Sequence, residues 1–335
     1  MNQPIDVAII GGGPAGISAA LVLGRARKSV VVIDEGRPRN RVTRESHGFL
    51  TRDGIAPSDF RRITREQISA YPSVHIVEDT AVTITGLDGH FLITTAQGTT
   101  YLGKKLLFAV GMKDLPLAIN GLDEVYGKSA FVCPYCDGWE VRDQPLAVIA
   151  KGVRALHWAK VLSGWTNQYT ICTNGPDEWT DEQRAELQQR NIPVFDSPIE
   201  RIASVDGMVQ RVELTDGTSV PCTGIFFVPK LATGSDLPQA LGCQLTEAGT
   251  VLVDNFGKTS VPGVYSAGDI TMATPQHQVI TAAALGFAAG ISINNELLAE
   301  AWDRLSKHDS NMFLPHKKGT IPPSVLDFRD CPSSI

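Results

Sequence analysis

Residues 5–36 read IDVAIIGGGPAGISAALVLGRARKSVVVIDEG, and this stretch decides the fold. Ile5 to Ile10 form an apolar strand, a glycine turn follows, then a helix with small residues facing back, then a second apolar strand ending at Asp34. That succession is a βαβ unit. Gly11, Gly13 and Gly16 satisfy G-x-G-x-x-G: the first permits the tight turn, the second lets backbone approach a pyrophosphate, and the third allows the helix to pack closely on the strand. The helix N-terminus then offers unpaired N–H groups to phosphate. Asp34, 18 residues past Gly16, is placed to bind ribose hydroxyls of an adenine nucleotide.

Bulk properties set the frame around this unit. At 335 residues the chain is long for one compact body, so two domains are expected. The formal net charge is −6, without a long basic run, and neither nucleic acid nor an anionic membrane surface is an expected partner. Asp6 interrupts the apolar start and no basic residue precedes it, which reads as a strand of a cytoplasmic protein rather than a signal peptide. The small-residue run from Ile280 to Ile293 falls short of the roughly 18 apolar residues a membrane span needs and reads as a buried helix.

Residues 131–140, FVCPYCDGWE, hold two cysteines three apart. The other four, Cys172, Cys222, Cys243 and Cys331, are scattered, so no secreted disulfide framework is present. A structural zinc would normally require a second ligand pair of similar spacing, and none appears. No metal site is expected. Redox exchange at Cys133 and Cys136 is the leading reading, with a metal or an idle pair as the alternatives.

Four motifs in order, GGGPAG near the start, FAVG at 108–111, CPYCDG at 133–138 and TSVPGVYSAGD at 259–269, resemble the low-molecular-weight thioredoxin reductases over residues 5 to 300. The resemblance implies an α/β protein of two Rossmann-like three-layer domains. An FAD domain of residues 1–116 and 250–300 would enclose an inserted domain, 117–249, carrying the C-x-x-C, with a tail at 301–335. A homodimer is also implied. By position, Gly11, Gly13, Pro14, Ala15, Gly16, Asp34, Glu35 and Val82 would serve the ADP half of FAD. Gly111 would close a second pass of chain, Gly268 and Asp269 would reach the ribityl-pyrophosphate region, and Gln278 and Val279 would present backbone to the flavin ring at the start of a helix. Cys136 would be the flavin-side sulfur and Cys133 the one that exchanges with a thioredoxin-like protein or a small disulfide or dithiol. Asp137 matches the family's acid and suits general acid/base work on a thiolate; the bland alternative is that it opens an Asp-Gly turn. Reducing a disulfide takes two electrons, which a flavin can accept or donate.

The second nucleotide loop departs from the pattern. Where the family has G-x-G-x-x-A for NADPH, this chain has Ala150-Lys151-Gly152-Val153-Arg154-Ala155. After the next strand the paired arginines for a 2′-phosphate are replaced by Thr173, Asn174 and Gly175, with Asp177 and Glu178 expected to repel phosphate. Lys151 and Arg154 read as surface charges, with a relocated phosphate clamp as the alternative. Tight NADPH binding is therefore not expected. Relatives lacking this site resemble either reductases driven by another donor or the dithiol oxidases of gliotoxin and holomycin biosynthesis; residues 34–54 look more like the second group, although those often carry histidine at the position of Asp137. His47 reads first as a capping or packing residue, with a role near the disulfide as the alternative. Cys172, Cys222 and Cys243 are assigned no chemistry. Beyond Leu298 no period is legible, and a flexible tail is expected, the alternative being a tail, with Phe313, Phe328 and Cys331, folded over the flavin or a partner subunit.

Overall fold

The structure, a computed structural model, describes residues 4–115, 117–177, 179–272 and 277–310, with side chains as far as 305. By contacts the chain forms two compact units, Met1–Asn295 and Glu296–Ile335. The first begins β1 (Ile5–Ile10), α1 (Pro14–Arg25), β2 (Val30–Asp34), α2 (Pro57–Ser69), β3 (Val74–Glu78), β4 (Ala81–Leu87), β5 (His90–Thr95), β6 (Thr100–Phe108) and β7 (Met112–Leu115). It continues through α3 (Leu122–Val125), β8 (Ala130–Phe131), α4 (Pro134–Asp137), β9 (Leu146–Ile149), α5 (Gly152–Leu162), β10 (Tyr169–Cys172), α6 (Asp181–Gln189) and β11 (Val194–Phe195). Then follow β12 (Ile199–Val205), β13 (Met208–Leu214), β14 (Ser219–Pro221), β15 (Gly224–Phe227), β16 (Lys230–Thr233), α7 (Leu237–Ala240), β17 (Val264–Ser266) and α8 (Val279–Ser310).

Two parallel sheets repeat one order. In the first, β3-β2-β1-β6 run parallel, and β6 serves two partners: its first half pairs antiparallel with β5 while Leu106–Phe108 pair parallel with β17. Residues 5–34 and 264–266, more than 200 positions apart, therefore share one sheet. In the second, β11-β10-β9-β15-β8 are all parallel. Each order reverses direction beside its first strand, and ligands bind outside the carboxyl ends of strands at such a switch point.

The inserted sheet shows its layers through side-chain alternation. All four residues of β9 are buried because both faces are covered. Leu146 and Val148 pack with Ala155, Leu156, Ala159 and Leu162 of α5, whereas Ala147 and Ile149 pack with Val209, Val212 and Val220 of the antiparallel β12-β13-β14 sheet. Helix, parallel sheet and antiparallel sheet make three layers.

The small-residue run in α8 has a packing cause. A Cβ on Gly286 would lie 1.9 Å from the Ala15 carbonyl oxygen, and one on Gly290 would meet Val22 Cγ1 at 2.4 Å, so the glycines let α8 lie directly on α1. By length and composition Val279–Leu305 could cross a membrane; here Ala282, Ala289 and Ile293 are buried in the protein. The expectation of a wholly buried helix needs correction, because Ile280, Phe287 and Ile291 are exposed. So does the tail boundary: α8 continues to Ser310. No proline or glycine interrupts residues 299–310, which are rich in helix-forming Ala, Glu, Leu and Arg. Phe313, Phe328 and Cys331 lie outside the described residues.

Candidate active site

The β1–α1 turn is a cradle made of glycine. Gly11 has φ +104°, and a Cβ there would sit 2.3 Å from the Ala109 carbonyl oxygen; one on Gly16 would sit 1.9 Å from the Gly11 carbonyl oxygen. Above Gly13, by contrast, a Cβ would meet nothing within 4 Å. The tight positions are thus closed by backbone and the ligand-facing one is open. Gly13 is the N-cap of α1 without a side-chain cap, Pro14 occupies the first turn, and Ala15 is buried. Free helix-terminal N–H groups face that open space and suit a pyrophosphate.

Asp34 lies at the end of β2 but is already engaged. Its Oδ1 accepts from Gly12 N at 3.1 Å and its Oδ2 from Arg61 at 2.8 Å and Arg65 at 3.3 Å. Burial opposes its ionisation, yet Arg61 and the Gly12 N–H hold the carboxyl below its ordinary range. Glu35 beside it is exposed. Asp79 N donates to the Asp34 carbonyl oxygen at 3.2 Å, which brings the start of β4, and half-exposed Val82, near this strand end.

At the other end of the cradle, Gly268 (φ +81°) approaches Ala15, and Gly111 (φ +63°) faces open space. Asp269 belongs to a network the sequence did not reveal. Arg39 donates to both carboxylate oxygens of Asp114 at 2.6 and 2.9 Å, contacts His277 Nδ1 at 3.0 Å and lies 3.8 Å from Asp269. Tyr126 Oη donates to Asp114 at 2.5 Å. Burial pushes the Asp269 carboxyl up and the His277 imidazole down. His277 Nε2 is buried and finds no partner among the described residues. An orphaned ring nitrogen beside Asp269, open space over Gly13 and a helix terminus without a side-chain cap together fit a dinucleotide with a polar ring system, as FAD is.

Cys133 and Cys136 form a disulfide, with Cα atoms 5.3 Å apart. The short helix α4 holds it: Cys136 N and Asp137 N both donate to the Cys133 carbonyl oxygen at 3.1 Å, and Gly138 N to Pro134 O at 2.8 Å. Gln278, immediately before α8, donates from Nε2 to Cys133 Sγ and to Cys136 Sγ, each at 3.3 Å. Val279 follows it, half-buried, as the first residue of α8. Asp137 is pushed up to about 7 by burial and by the charge of Glu140, against the pull of His47. Asp137 closes α4 rather than opening an Asp-Gly turn, and Gly138 after it keeps a right-handed helical conformation. The remaining described cysteines, Cys172, Cys222 and Cys243, are free and buried, with thiols pushed up by burial.

The second nucleotide loop carries contacts made by the protein itself. β9, α5 and β10 keep the βαβ frame, but Trp179 is buried and its Nε1 donates to the Gly152 carbonyl oxygen at 2.7 Å. Lys151 Nζ lies 3.1 Å from where a Cβ on Gly175 would be. Arg184 of α6 pairs with Asp177 through two bonds of 2.5 and 2.7 Å. That pair neutralises the acid expected to repel phosphate and commits the arginine. Glu178 lies outside the described residues; Lys151 and Arg154 are exposed.

Residues 5–290 match the family described as pyridine nucleotide-disulphide oxidoreductase. The chain belongs to that family. It is 30% identical to thioredoxin reductase sirT of Leptosphaeria maculans, over 88% of this chain and 94% of that protein, and 32% identical to thioredoxin reductase tcpT of Claviceps purpurea, over 88% and 95%. Among solved structures it resembles TrxB from Bacillus anthracis, with 42% identity, a TM-score of 0.85 and coverage of 89% and 99%. It also resembles HlmI, with 33% identity, a TM-score of 0.87 and coverage of 93% and 98%. This family member is a thioredoxin reductase-like, FAD-dependent disulfide oxidoreductase.

Proposed function

We propose that the protein exchanges two electrons between a substrate disulfide or dithiol and its flavin through Cys133–Cys136, without efficient use of NADPH. The observation that carries this is the pairing of an intact disulfide site with an altered second loop: Gln278 spans both sulfurs, while Trp179 bonds the Gly152 carbonyl oxygen and Arg184 is paired with Asp177. FAD bound over Gly13 supplies a two-electron acceptor or donor.

The cysteines carry the exchange. A substrate thiolate attacks Cys133 Sγ, the Cys133–Cys136 bond breaks, and its electron pair leaves on Cys136 Sγ. Asp137, protonated, gives its proton to that sulfur. The second substrate thiol, as thiolate, attacks the substrate sulfur of the mixed disulfide and expels Cys133. The substrate has then lost two electrons, which the cysteines hold as the Cys136 thiol and the Cys133 thiolate; of the two protons the substrate thiols release, one restores Asp137 and the other goes to solvent. Run backwards, the same steps open a substrate disulfide, with Asp137 as base.

The division into a split FAD domain at 1–116 and 250–300 around an inserted domain at 117–249 is part of this reading, supported by the shared sheet of β1, β6 and β17. A homodimer is supported by the exposed Ile280, Phe287 and Ile291, spaced seven and four apart along α8. The substrate is a thioredoxin-like protein or a small dithiol or disulfide, and the setting is cytoplasmic.

Cys136→Ser tests the assignment. A small dithiol should bleach the flavin of the native protein but not that of the variant within the same minutes; equal bleaching of both would remove the cysteines from the pathway.

A further inference from the structure

Residues 46–55 form a closed loop with no assigned role. Ser46 N donates to Ile55 O at 2.8 Å, Gly54 N to Ser46 O at 3.1 Å, and Gly48 N to Asp53 Oδ1 at 2.8 Å. Phe49 fixes it to α2 by an edge-on contact with Phe60, ring centroids 5.5 Å apart. Across from this loop stands the segment after α4. The link between them is His47, whose side chain is 18% exposed. Its Nε2 lies 3.6 Å from Glu140 and 3.6 Å from Glu45, and its Nδ1 lies 3.6 Å from Asp53.

Three carboxylates thus surround one imidazole, and Glu140 is three residues past Asp137. The nearby cations are committed elsewhere: Arg52 donates to the Thr51 carbonyl oxygen at 2.8 Å, and the Arg142 guanidinium lies 4.0 Å over the Trp139 ring. We propose that His47 is a positioning residue for exchange at Cys133–Cys136, fastening the 46–55 loop to Glu140 and supplying the positive charge that governs how readily Asp137 takes up and gives back its proton. This rests on the exchange chemistry proposed above. The physical reason is electrostatic: the Glu140 charge favours the neutral form of Asp137 and a cation at His47 offsets it. Removing the imidazole leaves Glu140 unbalanced; removing the Glu140 charge does the reverse.

The test follows the rate at which a small dithiol opens the disulfide of the FAD-loaded protein between pH 5.5 and 9, by acid quench and maleimide mass shift. Taking variant-to-native ratios cancels the ionisation of the dithiol itself. His47→Gln should carry the falling limb to higher pH by about half a unit, roughly threefold faster opening on that limb relative to the plateau. Glu140→Gln should move it to lower pH by a similar amount, and His47→Lys, which restores a cation, should return it toward the native position. A His47→Gln profile superimposed on the native one, or a His47→Lys limb displaced as far as that of His47→Gln, overturns the proposal. A native disulfide that no dithiol opens at any pH overturns the exchange chemistry itself, and the proposal with it.

Discussion

Gln278 Nε2 lies 3.3 Å from Cys133 Sγ and 3.3 Å from Cys136 Sγ, so one amide at the foot of α8 spans both ends of the disulfide. The cysteines come from α4 and its N-cap, just after β8 of the second parallel sheet, and the glutamine from the residue before a helix packed on α1, 142 and 145 residues away in sequence. The redox pair is therefore docked on the edge of the nucleotide cradle.

Gln278→Ala should separate the two halves of the reaction. Trapping of Cys133 and Cys136 after dithiol addition should proceed at the native rate, whereas bleaching of the flavin should slow roughly three- to tenfold, the worth of about 1 kcal/mol of lost hydrogen bonding. Equal slowing of both would show that the amide acts on the disulfide alone.

Gly16→Ala should empty the cradle of flavin. The added methyl would have to occupy space 1.9 Å from the Gly11 carbonyl oxygen, so α1 and the turn must separate. The expected result is a colourless or nearly colourless protein by the ratio of visible to ultraviolet absorbance, against a yellow native protein. Gly13→Ala, where a Cβ meets nothing, should fold normally and lower flavin content by obstructing the ligand instead.

Asp137 predicts a pH dependence with a definite sign. Its folded-state acidity lies near 7, above the ordinary carboxyl value of 3.8, so the native state holds a proton that the unfolded chain releases between those values. Its contribution to stability is fully present below about pH 4 and is lost as pH rises through about 7. Asp137→Asn should then melt higher than the native protein at pH 8, by about 2 °C or more, and level with it at pH 4. In catalysis the protonated acid opens the disulfide, so opening should fall above about pH 7 and closing should rise through it. The asparagine variant should lose about a hundredfold or more of either rate.

The βαβ unit and the C-x-x-C were legible because each is written in local spacing: three glycines and two cysteines. The Arg39 network was not, since Asp114 lies 75 residues from Arg39 and His277 lies 238 away, and no local pattern marks either. The loss of the second loop could be read from Ala150 and Lys151, but not the contacts the protein makes there. No local pattern marks Trp179 or Arg184, which folding brings to Gly152 and Asp177. Helix α8 was cut short for a different reason. Its apolar stripe changes character near residue 298 while Ala299, Glu300, Ala301, Arg304 and Leu305 are good helix formers, and propensity carries a helix where periodicity falls silent.

The altered second loop makes the direction of electron entry the central claim. Without the paired arginines after β10, a 2′-phosphate forgoes charge-assisted hydrogen bonds worth roughly 1.5–3 kcal/mol each, about tenfold or more in affinity per contact. An anaerobic titration of the purified yellow protein with NADPH, NADH and a small dithiol, followed at the flavin absorbance and ended by admitting air, reads this directly. The account predicts that the dithiol bleaches the flavin through Cys133 and Cys136, that both nicotinamide nucleotides act slowly or not at all, and that the rate of recovery in air reports whether oxygen is the acceptor. Rapid stoichiometric bleaching by micromolar NADPH would contradict it.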